Sequence, residues 1–258
     1  MARKRDEVAA GREALPVHEI KALASGAPGA RPWAEALRGR GLAVIAEVKR
    51  SSPSAGAIQP GADPAAVART YAEHGAAAVS VLTDRDFDGR VEDLERVSRA
   101  IDLPVLRKDF LVDPWQIWES RAAGADAALL IVGALPDVSL LAMATVAHEA
   151  GLSLLVEIHG PEEIPRALAL EPSVVGVNAR DLRTLAVDPA GALDTLVAFR
   201  REAGDDVVLV AESGIASADD ARRARDAGAD AILVGAALMR AARPEELLAD
   251  LVAVGGVS

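Results

Sequence analysis

Eight short aliphatic runs recur along the chain, and they are nearly continuous instead of alternating with polar residues. They cover residues 42–48, 77–82, 104–106, 127–132, 152–156, 174–177, 207–211 and 231–234. A strand that is apolar on both faces has no side suited to water, so it belongs in a parallel sheet covered on each side. Helix-like stretches stand between the runs, among them residues 63–74, 91–101, 114–123, 138–150, 189–203 and 218–227. A phrase repeats where helix gives way to strand: Gly75-Ala-Ala-Ala-Val, Gly124-Ala-Asp-Ala-Ala and Gly228-Ala-Asp-Ala-Ile. A glycine there supplies the left-handed residue that ends a helix before a short loop.

Such a pattern fits a closed (β/α)₈ TIM barrel or an open doubly wound sheet. Polar residues end nearly every run, which favours the barrel, because an open sheet gathers its site near one switch point. No glycine-rich dinucleotide or P-loop fingerprint is present. The chain has 258 residues, close to the ~250 of one such barrel. We therefore expect one domain over 1–258, with the barrel at 41–258 and a helical N-terminal extension at 1–40. Within the extension, 6–15 and 32–37 read as helices and 26–32 as a loop. Hydrophobic residues make up 51% but aromatics only 3%, so the interior must be layered from Ala, Val, Leu and Ile.

Lys and Arg number 28 against 39 Asp and Glu, a net charge of −11. That balance argues against nucleic acid or an anionic membrane as the partner, while leaving room for a local anion site. The chain contains no cysteine, which excludes disulfides, zinc–thiolate sites and thiol nucleophiles and fits a reducing cytoplasm. The first residues, Met1-Ala-Arg-Lys-Arg, carry charge and no apolar signal core. The apolar runs fall far short of the ~18 residues of a membrane span. We expect a cytoplasmic monomer acting on a small molecule.

The chemistry sits at the strand ends. Glu47 and Lys49 are two apart, so they share a face after an apolar run. A carboxylate beside an ammonium keeps both charged in a partly dry site. Lys108 follows Pro-Val-Leu-Arg, and Glu157 follows Leu-Leu-Val with His159 two residues on. A carboxylate there is costly to bury unless used or paired, and desolvation would suit it to proton transfer. Asn178 and Arg180 end the sixth run, Glu212-Ser213-Gly214 the seventh and Gly235-Ala236 the eighth. Many barrels hold a phosphate after strands 7 and 8, on backbone N–H groups and a short extra helix, here 236–240. Acid–base chemistry on a small phosphorylated substrate is as far as these residues lead.

From about Arg5 to Arg240, seven phrases occur in order: Ile45-Ala-Glu-Val-Lys-Arg-Ser-Ser-Pro-Ser54, Ser80-Val-Leu-Thr83, Pro104-Val-Leu-Arg-Lys-Asp-Phe110, Leu155-Val-Glu157, Gly176-Val-Asn-Ala-Arg-Asp-Leu182, Ala211-Glu-Ser-Gly-Ile215 and Val234-Gly-Ala-Ala-Leu-Met-Arg240. Together they resemble the indole-3-glycerol-phosphate synthase family of tryptophan biosynthesis. The resemblance implies ring closure of 1-(2-carboxyphenylamino)-1-deoxyribulose 5-phosphate with loss of carbon dioxide and water, without cofactor or metal. It implies Lys108 as general acid, Glu157 as the carboxylate of dehydration, and Lys49 on the substrate's anionic groups. Glu47, Asn178 and Glu212 would orient these groups. Ser213, Gly214, Gly235 and Ala236 would cradle the phosphate, with Arg180 and Ser52 nearby. Phe87, Phe110, Leu129 and Leu185 would wall the anthranilate ring. The chain departs from the family in a leading helix that reads as shortened, in Ala236 where a polar residue is common, and in the Asp86-Phe-Asp-Gly-Arg90 loop.

Other readings remain. Phosphoribosylanthranilate isomerase, a neighbouring barrel, relies on a cysteine that this chain lacks. A Schiff-base lysine enzyme would be trapped by borohydride. A non-catalytic barrel would have no need of charge at so many strand ends.

Overall fold

A computed structural model describes residues 2–39, 41–53 and 56–256; Ser54, which closes the first motif, lies outside them. The eight runs become β1 (Ala43–Val48), β2 (Ala78–Leu82), β3 (Val105–Lys108), β4 (Ala127–Ile131), β5 (Ser153–Ile158), β6 (Val174–Asn178), β7 (Val208–Glu212) and β8 (Ala231–Val234). They close into one parallel barrel. β1 is the seam, with Ile45 opposite Leu233 on β8 and opposite Ala78 on β2.

Although the strands are apolar on both faces, the pleat sorts their residues by twos. One parity fills the barrel: Ile45, Ala78, Leu106, Leu129, Leu155, Val210 and Leu233 are buried in a single cluster. The other parity, including Val44, Val79, Leu130, Val156, Leu209 and Ile232, packs under the helices in a larger cluster.

The helices between strands are α4 (Pro64–Glu73), α5 (Val91–Ala100), α6 (Pro114–Ala122), α7 (Asp137–Glu149), α8 (Ile164–Leu168), α9 (Pro189–Ala203) and α10 (Ala218–Asp226). Their starts are legible: Asp63, Asp113, Asp188 and Ser217 accept hydrogen bonds from first-turn N–H groups, and proline follows the three aspartates. Gly75, Gly124 and Gly228 have φ of 92°, 85° and 96°, the left-handed conformation that the repeated phrase predicts. After β8 come α11 (Ala236–Arg240) and α12 (Pro244–Ala253).

Ahead of β1 stand three helices, α1 (Ala2–Ala14), α2 (Val17–Gly26) and α3 (Trp33–Leu37). α2 was not anticipated, and it takes Gly26 from the expected loop. Pro16 separates it from α1, and its Ile20 and Ala24 bury against Trp115 and Trp118 of α6. That packing, invisible locally, holds a ten-residue helix too short to be stable on its own. α3 plugs the far end of the barrel, where Trp33 and Leu37 join the inner cluster. α1 is bound by charge. Lys4 Nζ lies 2.6 Å from Asp84 and 2.8 Å from Asp109, just after β2 and β3. α8 and α12 also go beyond the helices expected from sequence.

Four strands outrun their apolar runs, β6 by Asn178 and β7 by Glu212. β3 takes in Arg107 and Lys108, and β5 takes in Glu157 and Ile158. These charges can sit in buried strands because each has a partner. Arg107, for example, meets Asp109 at 3.2 Å and Glu119 at 2.8 Å.

Candidate active site

Counting by twos along the inner parity carries each strand from core to site. Glu47 lies two beyond Ile45, Lys108 two beyond Leu106, Glu157 two beyond Leu155, and Glu212 two beyond Val210. All therefore point up the barrel axis at the C-terminal mouth, where barrels place their chemistry. They line one cavity of about 370 Å³. Its wall also includes Lys49, Asn178, Ser52, Arg180, Ser213, Gly214, Gly235, Ala236, Phe87, Phe110, Leu129 and Leu185, so every residue that the resemblance names for the site reaches the same space. A larger cavity of about 600 Å³ lies beside α1. Its inner charges, Lys4, Arg107, Asp109 and Glu119, are paired with one another, and none of the strand-end candidates lines it.

Lys108 is the hub. Its Nζ is 2.9 Å from Glu157 Oε2 and 2.7 Å from Glu212 Oε2. Burial disfavours the ammonium, but Glu157, Glu212 and Glu47 together push its pKa well above the ordinary lysine value. The two glutamates part company. Burial raises Glu157, yet Lys108 and His159 hold it below the usual carboxylate range. Burial pushes Glu212 up to about 7, and the neighbouring Glu157 adds to that against the pull of Lys108. Two carboxylates on one ammonium cannot ionise alike, so one stays charged and the other holds a proton near neutrality.

Lys49 reaches Glu47 Oε1 at 3.2 Å, as the i,i+2 spacing predicts, and lies 5.2 Å above the Phe87 ring. Asn178 is oriented by its neighbours. Its Oδ1 accepts from the Arg180 N–H at 2.9 Å and from Ser213 Oγ at 2.8 Å, and its amide helps keep Glu157 ionised. Ser213 and Gly214 are both left-handed, with φ of 67° and 75°. Successive residues of this kind turn backbone N–H groups toward a concavity. The Arg180 guanidinium donates to Leu185 O at 2.9 Å, bracing the loop that carries Leu185 into the mouth.

Two glycines make room for carboxylates. A Cβ on Gly176 would collide with Glu212 Oε1, and one on Gly235 with Glu47 Oε1. Gly176 opens the fifth phrase but was not singled out. Its signal was its parity, because it lies two before Asn178 among inward positions. Leu82, Ile131 and Leu233 also line the cavity and could have been found by the same count. His159 does not line it; its ring stands behind Glu157, 3.4 Å from Oε1.

Two ammonium groups and three carboxylates at the mouth of a closed parallel barrel mark a (β/α)₈-barrel enzyme. A family model described as indole-3-glycerol phosphate synthase matches residues 1–251. The chain belongs to the indole-3-glycerol phosphate synthase family. It is 46% identical over 252 residues to an indole-3-glycerol phosphate synthase of Streptomyces griseus, covering 97% of this chain and 92% of that protein. A Mycobacterium avium relative of the same name is also 46% identical, with coverage of 97% and 91%. Among solved structures, a thiamine phosphate pyrophosphorylase from Pyrococcus furiosus superposes with a TM-score of 0.61 over 87% of this chain and 98% of that one. At 19% identity it speaks for the fold alone. No helix among the described residues is long and apolar enough to cross a membrane.

Proposed function

We propose that this cavity converts 1-(2-carboxyphenylamino)-1-deoxyribulose 5-phosphate to indole-3-glycerol phosphate, with Lys108 as general acid and Glu157 as the carboxylate of dehydration. The observation that carries the assignment is the Lys108 ammonium held 2.9 and 2.7 Å from two buried carboxylates. Such a group is a strong, fixed donor for a carbonyl oxygen that gains charge as the arene attacks. Ring closure forms the carbon–carbon bond while Lys108 gives its proton to that oxygen. The substrate carboxylate leaves as carbon dioxide, and its electron pair restores the aromatic ring. Departure of the hydroxyl as water takes up one proton and releases one from carbon, and Glu157 mediates this exchange.

Lys49, tethered to Glu47, faces the substrate's anionic groups. Ser213, Gly214, Gly235 and Ala236 form the phosphate end, with Arg180 and Ser52 beside it. Phe87, Phe110, Leu129 and Leu185 hold the anthranilate ring and keep water from the carboxylate as it leaves. Glu212 and Asn178 keep Lys108 and Glu157 in place. We read the protein as one cytoplasmic barrel domain with its helical extension.

The test is formation of indole-3-glycerol phosphate by the purified chain, followed by fluorescence. Turnover that falls by about 10²-fold or more in Lys108→Ala, with product still bound, is expected of a general acid. No turnover by the wild-type chain, or near-normal turnover by the variant, overturns the assignment. Equal binding of a dephosphorylated substrate overturns the phosphate end.

A further inference from the structure

His159 is the one strand-end residue noted in the sequence that the reaction scheme leaves unused. It stands one residue past β5 on the inner parity, yet its ring is outside the cavity and behind Glu157. Glu157 spends Oε2 on Lys108. Its Oε1 is buried without a hydrogen-bond partner among the described residues, and so is His159 Nε2. The two atoms are 3.4 Å apart. On the other side of the ring, Nδ1 lies 3.8 Å from Glu163 Oε2, and the same oxygen accepts the His159 backbone N–H at 2.8 Å. Two orphaned buried atoms facing each other, with an anchored carboxylate beyond, make a line from Glu157 to the barrel rim.

We propose that His159 is a positioning residue that acts through Glu157, carrying protons between Glu157 Oε1 on the cavity side and Glu163 on the rim. The relay runs through the neutral ring with its proton on Nδ1: the proton that Glu157 takes up as water is lost passes from Oε1 to the bare Nε2 and makes the imidazolium. The Nδ1 proton leaves toward Glu163 and solvent, and the reverse path restores the start. Carboxylates face the ring on three elements: Glu157 on β5, Glu163 on the turn Pro161–Glu163 and Glu212 on β7. Lys108 lies between Glu157 and Glu212, and Arg166 of α8 acts on Glu163. Burial lowers the imidazole pKa, but Glu163 and Glu157 carry it above the ordinary histidine value. The ring therefore supports an ionised Glu157 at neutral pH. The inference rests on the assignment of Glu157 given above.

The test is the pH profile of kcat for the full chain and its H159Q variant, with product binding as the check on the cavity. A relay partner contributes less than the about 10²–10⁴-fold of a directly acting group, so kcat should fall about tenfold with product affinity nearly unchanged. The acidic limb should move to higher pH, because Glu157 loses the imidazolium beside it. An unmoved limb overturns the proposal. E157Q run alongside separates the two assignments. Normal turnover of E157Q removes Glu157 from the reaction and this inference with it. An inactive E157Q with an unchanged H159Q profile overturns the role of His159 alone. Histidine NMR of the wild-type chain needs no variant that might fail to fold. Of the four imidazoles, His18, His74 and His148 are exposed. The His159 resonance should titrate above the ordinary histidine value and fall toward it in E163Q; a His159 that titrates at or below that value overturns the proposal.

Discussion

Lys108→Met removes the ammonium that Glu157 and Glu212 share, and its cost should depend on pH. Both carboxylate side chains are 1% exposed, so water cannot replace the lost partner. Breaking a buried ion pair costs about 3–5 kcal/mol when the remaining charge stays uncompensated. The glutamates can escape that cost by taking up a proton. Their folded pKa values would then lie above the unfolded value of about 4.3, and stability would fall with rising pH by about 1.4 kcal/mol per unit and per group. In the wild type the sign for Glu157 is opposite. Its folded pKa is held down, so its contribution is present above the unfolded pKa and lost in acid. Glu212 is already raised in the wild type, so the difference comes chiefly from Glu157 and should widen from about 1 kcal/mol at pH 5 to about 5 kcal/mol at pH 8, at about 1.4 kcal/mol per unit. Urea titrations at unit intervals of pH would measure it. A difference that stays constant from pH 5 to 8 refutes the reasoning, because some other group would then be neutralising the carboxylates.

Glu212 is raised from 4.5 to about 7, so its stabilising effect is present below 4.5 and fades as pH climbs through 7. Glu212→Gln, neutral throughout, should flatten the dependence of Tm on pH across that window, and an unchanged slope would count against a raised Glu212. Gly176→Ala forces a methyl against Glu212 Oε1, with Leu155 Cδ1 3.3 Å away. It should cost about 1–3 kcal/mol and most of the turnover, measured by denaturation and by the fluorescence assay; wild-type kcat would show that the carboxylate is free to move. Lys4→Met leaves Asp84 and Asp109 with Arg3 and Arg107 as their cations among the described residues. A loss of about 2–4 kcal/mol, with faster amide exchange along α1, is expected, and an exchange pattern like the wild type's would mean that packing on α6 holds the helix instead.

The continuous aliphatic runs and their spacing are local properties, and they were enough to establish eight parallel strands and the helices capped by Asp63, Asp113, Asp188 and Ser217. Parity along a strand is equally local. It put Glu47 with Lys49 and let Lys108, Glu157 and Glu212 be read as strand-end charges. The resemblance added their roles, and closure of the barrel brought them together: Glu157 and Glu212 stand 49 and 104 residues from Lys108 in sequence. Only tertiary structure decided which carboxylate is charged, since desolvation depends on everything that surrounds a group. It likewise decided that α2 forms against Trp115 and Trp118, that Gly176 makes room for Glu212, and that His159 stands behind Glu157 instead of in the cavity. A periodicity reports which face a residue occupies. What occupies the space opposite that face is set by segments far away in the chain.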